Sequence, residues 1–359
     1  MDDATSPPRW RTKLGFWVIL GMLATAFPEV VSGAMPWPFF NGWGILITTP
    51  LYALHAIVLI TIVVRLRALT WPGLLFAGAL FGLYEGYLTK VLFNPYFAEN
   101  LAGSFLGLAW HHAALLVLWW HPIMAFIVPL LVAETFLTSS RGVRDALPQR
   151  VRRWVATPRR TAVTAAAAGV ICALFTVVGP PTAAHGFAIA AVNTGLLVAL
   201  MLVWTKRTRR RYPLHTLLPG KKGLAVMIAL LAVMYGLMGP LLLRDKLPSV
   251  DGHLSILACY MVFTLLLLRC RNTSRPVLQE DLALAMPPPY RAMALFCAVY
   301  VITAPVAKAV LGQALMVMFL VNWLAADTVG VVLYAKAIHA TLRRTRKPDS
   351  VQEAAPSHA

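Results

Sequence analysis

Charge is scarce in this sequence. Only 13% of its 359 residues are charged, with 14 acidic residues against 32 lysines and arginines. So little charge, together with 59% hydrophobic residues and a mean hydropathy of +0.69, excludes an ordinary soluble domain. Cysteine is also rare: the chain has four, and none forms a C-x-x-C pair. That pattern indicates neither a disulfide framework nor a zinc knuckle.

The sequence also lacks the short motifs of soluble enzymes. It contains no H-E-x-x-H, no Walker loop, no G-x-S-x-G and no G-x-G-x-x-G. Without a Walker loop, the chain cannot work alone as an ATP-driven pump.

Long apolar runs are abundant instead. A helix needs about 20 apolar residues to cross the ~30 Å hydrocarbon core of a bilayer. Each crossing must be helical, because lipid offers no partner for an unpaired backbone group. We therefore predict an all-α, polytopic membrane helical bundle of about ten transmembrane helices. The predicted spans are 14–33, 44–64, 71–93, 108–137, 162–180, 184–204, 223–243, 252–268, 291–311 and 314–338.

Lysine and arginine collect at every second boundary between these runs. Loops rich in positive charge face the cytoplasm, so both termini are predicted to be cytoplasmic, in a multi-pass protein of the cell membrane. The net charge of +18 then reflects contact with anionic lipid headgroups rather than with nucleic acid. The basic stretches are 9–13, 65–67, 141–160, 206–222, 269–291 and 343–347.

The largest basic loop divides the chain. We predict a four-helix N-terminal membrane part (1–137) that carries most of the intramembrane ionisable residues. A basic cytoplasmic loop (138–161), a six-helix C-terminal membrane part (162–342) and a disordered cytoplasmic tail (343–359) follow it.

Ionisable side chains at membrane depth are costly and usually mark a function or a buried pair. Glu85 and Glu29 lie at similar depths, roughly 21 Å into their spans at 1.5 Å per residue. His111 and His112 fall in the same outer half. We therefore expect these four side chains to meet if their helices are neighbours. His121 points elsewhere on a regular helix, and we expect it to lie outside this group.

A regular row of glycines lies beside Glu85. Gly78, Gly82 and Gly86 recur at four-residue intervals and form a smooth face that lets another helix approach closely. We therefore expect Glu85 to be buried between helices. Lys90 lies on another side of the helix, and we expect it to extend to the outer interface.

Two resemblances rest on these segments. Residues 27–33 and 82–90, with Phe93-Asn94-Pro95 after them, resemble an uncharacterised family of prokaryotic polytopic membrane proteins. A glutamate followed by histidines on the next helix is similar, over residues 20–137, to the CAAX-protease-like (abortive-infection) intramembrane metalloproteases. The chain departs from the paired glutamates of that family, because Tyr84 stands where the first would be.

Three functions remain open. Ten spans and a deep carboxyl group favour a secondary transporter or permease in which Glu85 carries a proton. The second resemblance implies a metal-dependent hydrolase, in which Glu85 activates a water and Glu29 binds zinc with His111 or His112. A non-catalytic membrane assembly protein would use the same groups only to hold helices together.

Overall fold

The apolar runs form helices, because a helix pairs the backbone polar groups for which lipid offers no partner. The computed structural model describes residues 7–94, 104–210, 212–272, 289–312 and 314–344. In these ranges the only strands are Ser104–Phe105 and Leu108–Ala109, which pair antiparallel. The all-α prediction is confirmed. Most of the tail predicted to be disordered, and Pro95 of the second resemblance segment, lie outside the described residues.

Three π-helical segments interrupt or extend the helices. The π segments are Ala26–Val30 after α1, Gly44–Thr48 before α2, and Leu116–Ile127 between α4 and α5. The helices are α1 (Trp10–Thr25), α2 (Thr49–Arg65), α3 (Trp71–Leu88), α4 (Trp110–Leu115), α5 (Val128–Leu137), α6 (Gly142–Ala146), α7 (Gln149–Trp154), α8 (Pro158–Thr176), α9 (Ala183–Thr208), α10 (Leu214–Leu217), α11 (Lys221–Leu241), α12 (Val250–Arg269), α13 (Tyr290–Leu311) and α14 (Ala314–Arg344).

Eight helical stretches of the described chain are long and apolar enough to cross a membrane, as a multi-pass protein requires. The other two predicted spans, 71–93 and 162–180, are also helical but are not among these eight. They correspond to α3, which contains Glu85, and α8, which begins with a proline and two arginines. Nearly every side chain of α3 is buried, so this helix faces protein rather than lipid.

Helix α3 lies at the centre of the packing. It contacts α2, α11, α12, α14 and the π segment 116–127. Tyrosine hydroxyls tie it to two of these neighbours: Tyr84 donates to the Leu231 carbonyl of α11 at 2.6 Å, and Tyr334 of α14 donates to the Leu75 carbonyl at 2.5 Å. The packing therefore crosses the predicted boundary between the N-terminal and C-terminal membrane parts. Helices α8, α9 and α13 pack mainly on one another.

The glycine face of α3 allows the π segment to approach closely, as predicted. A Cβ atom on Gly78 would lie 2.4 Å from the Pro122 Cα atom, and one on Gly82 would lie 2.8 Å from the Leu116 carbonyl oxygen. Real Cβ atoms do not come so near to backbone atoms. Both positions are therefore restricted to glycine as long as the two helices keep this separation.

Lys90 does not reach the outer interface, so that prediction is wrong. Its side chain is fully buried. The ammonium group donates to the carbonyls of Tyr87, at 3.0 Å, and of Gly239. These carbonyls belong to the last turns of α3 and α11, where backbone oxygens lack helical partners and the helix dipole is negative. One lysine thus satisfies the ends of two helices.

Glu134 lies near the arginine loop and is buried there. Its two carboxylate oxygens accept hydrogen bonds from the backbone N–H groups of Val143 and Arg144, at 2.7 and 2.9 Å. These donors belong to the first turn of α6, whose N–H groups have no helical acceptor. The carboxylate thus joins the end of α5 to the cytoplasmic loop.

The close approach of α3 to the π segment makes a specific prediction about stability. Gly78→Ala should lower the free energy of unfolding by about 1–3 kcal/mol, because the new methyl group meets the backbone at Pro122. Gly236→Ala in α11 is the matched control, since no atom lies within 4 Å of a Cβ there. Thermal unfolding of the purified variants in detergent measures the difference. A Gly78→Ala protein as stable as Gly236→Ala would contradict the packing.

Candidate functional site

Four helical segments of the N-terminal part each place one polar side chain at a common point. Glu29 comes from the π turn after α1, Tyr52 from α2, Glu85 from α3 and His121 from the π segment 116–127. We call these four residues the polar cluster. In the membrane-spanning part of a protein such a group is costly unless its members satisfy one another.

The members of the polar cluster form a continuous chain of contacts. The Tyr52 hydroxyl donates to a Glu29 carboxylate oxygen at 2.5 Å and lies 3.5 Å from His121 Nε2. The same Nε2 atom lies 3.2 Å from a Glu85 carboxylate oxygen. His121 and Tyr52 therefore bridge two carboxyl groups that belong to different helices.

The orientation of the His121 ring follows from its other nitrogen. Nδ1 lies 3.0 Å from the Leu116 carbonyl oxygen, which can only accept a hydrogen bond. Nδ1 must therefore carry a hydrogen, and Nε2 is the nitrogen that gains or loses a proton. That nitrogen is the one facing Glu85 and Tyr52.

One aromatic side chain, Phe81, packs against the polar cluster. The Phe81 ring lies 5.1 Å from the Tyr52 ring and 5.6 Å from the His121 ring. The Tyr52 side chain is 1% exposed and the Glu85 side chain 12% exposed. In such a setting, hydrogen bonds between charged or polar groups are stronger than in water.

His55 lies on the other side of Phe81 and stacks on its ring at 4.6 Å. Its Nδ1 atom bonds to the Leu51 carbonyl at 2.9 Å. His55 is thus a packing histidine with a local backbone partner.

The two π segments set the positions of Glu29 and His121. Each contains a proline, Pro28 or Pro122, which lacks an N–H and crowds the carbonyl four residues earlier. In a π turn each backbone N–H bonds instead to the carbonyl five residues earlier, and such turns are frequent at functional sites. The wider turn also changes the direction in which every later side chain points.

The prediction that His121 lies apart from Glu85 is therefore wrong. It assumed regular α-helical rotation along the whole fourth crossing, which would turn His121 about 180° away from His112. The segment Leu116–Ile127 is π-helical instead. The α3 surface at Gly82 then faces His121: a Cβ placed there would lie 3.3 Å from the His121 Cβ atom.

His111 and His112 do not join the two glutamates. His111 Nδ1 pairs with an Asp327 carboxylate oxygen of α14 at 2.8 Å, and its ring stacks on Trp323 at 5.6 Å. The His112 ring contacts Trp323 edge-on at 5.2 Å.

The zinc set implied by the second resemblance is therefore not assembled. Within the described residues, no three histidine, cysteine, aspartate or glutamate side chains form a group that could hold a metal ion. Glu29 and Glu85 face Tyr52 and His121, whereas both histidines of the predicted set turn toward α14. The donor set does not fit a zinc site.

Tyr52 was not among the predicted site residues. A tyrosine in an apolar run is ordinary, and nothing in its local pattern marks it. The available signal is indirect: α2 contains few polar groups, and a buried tyrosine hydroxyl needs a partner on another helix.

Two comparisons with known proteins indicate which family the chain belongs to. Residues 18–346 match a family described as "Uncharacterized membrane protein family". An uncharacterized protein from Archaeoglobus fulgidus is 33% identical over 257 residues, which cover 72% of this chain and 78% of that protein. No solved structure matches the chain. Neither match supports the resemblance to CAAX-protease-like enzymes. Because the family match extends over most of the sequence, the chain belongs to this uncharacterized family of membrane proteins.

Proposed function

We propose that the protein is a proton-coupled secondary transporter whose polar cluster carries the proton. The observation that carries this proposal is the bridge between two carboxyl groups of different helices through the Tyr52 hydroxyl and His121 Nε2. Carboxyl and imidazole groups in series within a membrane are the usual components of proton relays.

The geometry allows a proton to pass from Glu85 to Glu29 through His121 and Tyr52. A protonated Glu85 gives its proton to His121 Nε2, which becomes an imidazolium. The imidazolium then transfers its Nε2 proton to the Tyr52 oxygen, while the Tyr52 hydroxyl proton passes to Glu29. At the end Glu85 has lost one proton, Glu29 has gained one, and the tyrosine and the histidine have returned to their starting states.

Irregular backbone around the polar cluster supports transport over a purely structural role. Transporters commonly place their sites where membrane helices are interrupted, because such segments change shape more easily than regular helix. Here both Glu29 and His121 lie in π segments. A cluster that only held helices together would not require either interruption.

The zinc hydrolase is the less favoured alternative. Its histidine ligands would have to face Glu29, and they contact Asp327 and Trp323. We further propose that transport takes place in the cell membrane, with the basic loops against anionic headgroups on the cytoplasmic side.

Replacement of the carboxyl group tests the proposal most simply. Glu85→Gln keeps the side-chain shape but cannot release a proton, so proton-driven transport should be abolished. Cells that express wild type or Glu85→Gln can be compared by mass spectrometry of their internal and external metabolites, with and without a protonophore. We expect the metabolite profiles of wild type and Glu85→Gln to differ. This difference should disappear when the protonophore collapses the proton gradient. Asp145→Asn, in an exposed ion pair of the cytoplasmic loop, is the control. Equal profiles for wild type and Glu85→Gln would contradict the proposal.

The Tyr52 hydroxyl has its own prediction. Tyr52→Phe removes the link between His121 and Glu29, and we expect transport to slow by about a hundredfold, the scale of one lost proton-transfer group. Tyr84→Phe is the matched control, because Tyr84 is also buried and donates to a backbone carbonyl. Initial transport rates of the identified substrate in proteoliposomes give the comparison. If both variants slow equally, the hydroxyl acts through stability and not through proton transfer.

A further inference from the structure

A cavity of about 450 Å³ lies between the start of α1, the end of α2 and the loop that joins α10 to α11. Lys13, Arg65 and His215 stand in its walls, and we call it the basic pocket. None of the four polar-cluster residues lines it. The basic pocket is therefore separate from the proposed proton path.

Three separate basic stretches of the sequence meet at the basic pocket. They are 9–13, 65–67 and 206–222, and each supplies one of the three basic side chains in the walls. The positive-inside rule explains why all basic stretches lie on the same side of the membrane. It does not require that three of them converge on one cavity, so the convergence needs another explanation.

Two cationic groups are held close together in the basic pocket. Lys13 Nζ donates to the Leu218 carbonyl oxygen at 3.4 Å, and Arg65 donates to the carbonyl oxygen of Pro219, the next residue, at 2.8 Å. Bonds to neighbouring carbonyls bring both positive charges to the same short segment. Like charges at short range repel each other, and an anion bound beside both of them relieves the repulsion.

No carboxylate of the described residues supplies that anion. The residues that line the basic pocket include no aspartate or glutamate, and neither Lys13 nor Arg65 forms an ion pair with a described residue. Both side chains also keep donors for a ligand, because an ammonium group has three N–H bonds and a guanidinium group has five.

The start of α11 adds backbone donors to the same place. Gly220, the residue before its first turn, lines the basic pocket and has no side chain that could cap the helix. The first turn contains no acidic residue either. The first N–H groups of a helix have no helical acceptor, and the positive end of the helix dipole lies beside them. This end of α11 therefore favours the same anion as the two cationic side chains.

We infer that the basic pocket binds a phosphate group through Lys13, Arg65 and the first turn of α11. A phosphate group offers several acceptor oxygens at once, and a guanidinium group can hold two of them. Two sources share this chemistry: the headgroup of an anionic lipid and a soluble phosphate compound. The inference does not depend on the proposed proton transport.

Binding of radiolabelled inorganic phosphate tests the site. The full chain is freed of lipid in dodecyl maltoside, and binding is measured by scintillation proximity at constant ionic strength. Arg65→Gln should weaken binding about tenfold, the scale of one charge-assisted hydrogen bond. Arg159→Gln is the matched control and should bind as wild type does, because Arg159 is exposed at the start of α8 and does not line the pocket.

A second variant guards against a loss of structure. Arg65→Gln also loses the bond to Pro219, whereas Lys13 makes only a long contact with Leu218. Lys13→Gln should weaken phosphate binding by a similar factor. Thermal unfolding in the same detergent shows whether both variants keep the stability of the wild type.

Competition with the labelled phosphate identifies its source. Dioctanoyl phosphatidic acid should displace the label at lower concentration than glycerophosphate if the pocket takes a lipid headgroup. The two should compete equally if it takes a soluble phosphate compound. Dioctanoyl phosphatidylcholine, whose choline cancels the negative charge, should compete weakly in both cases.

Four outcomes would overturn the inference. The first is that the wild type shows no saturable binding of phosphate. Equal weakening by Arg65→Gln and Arg159→Gln would mean that binding follows only the net charge of the protein. Phosphatidylcholine that competes as well as phosphatidic acid would mean that acyl chains, and not the phosphate charge, are recognised. Binding that appears only after Asp2→Asn and Asp3→Asn would mean that carboxylates of the chain itself occupy the pocket.

Discussion

The contact between the glycine face of α3 and the π segment 116–127 determines the geometry of the polar cluster. Gly78 and Gly82 let the two backbones approach to a separation that no side chain would tolerate. At that separation His121 lies directly beside α3 and reaches Glu85. A wider spacing would separate His121 from Glu85 in an environment where unpaired polar groups are costly. Packing and chemistry are therefore coupled at the same two helices.

The same principle explains the other polar groups of the bundle. Three of them are matched by a group on another element: Lys90 with the ends of α3 and α11, Glu134 with the first turn of α6, and His111 with Asp327. These pairs have a structural explanation. The polar cluster differs because it links two carboxyl groups in series and because prolines interrupt two of its helices. That difference is the physical basis for assigning it a function.

Much of this architecture can be read from the sequence because its causes are local. Apolar length predicts the membrane helices, and the four-residue glycine spacing predicts the close face of α3. The position of His121 could not be predicted in this way. It depends on the π segment around Pro122, which changes the helical phase and so turns His121 toward Glu85. The burial of Lys90 and the contacts of Tyr52 could not be predicted for a related reason. Their partners lie on helices distant in sequence, and no local pattern reveals them.

The most direct test of the account is the energetic coupling between Glu85 and His121. A double-mutant cycle with Glu85→Gln and His121→Asn, measured as free energies of unfolding in mixed micelles titrated with SDS, isolates it. We expect a coupling of about 0.5–3 kcal/mol, the range for residues in contact. The cycle of Glu85→Gln with His111→Asn should give additive effects, because His111 pairs with Asp327. Additivity for Glu85 and His121, or an equally large coupling for Glu85 and His111, would contradict the polar cluster described here.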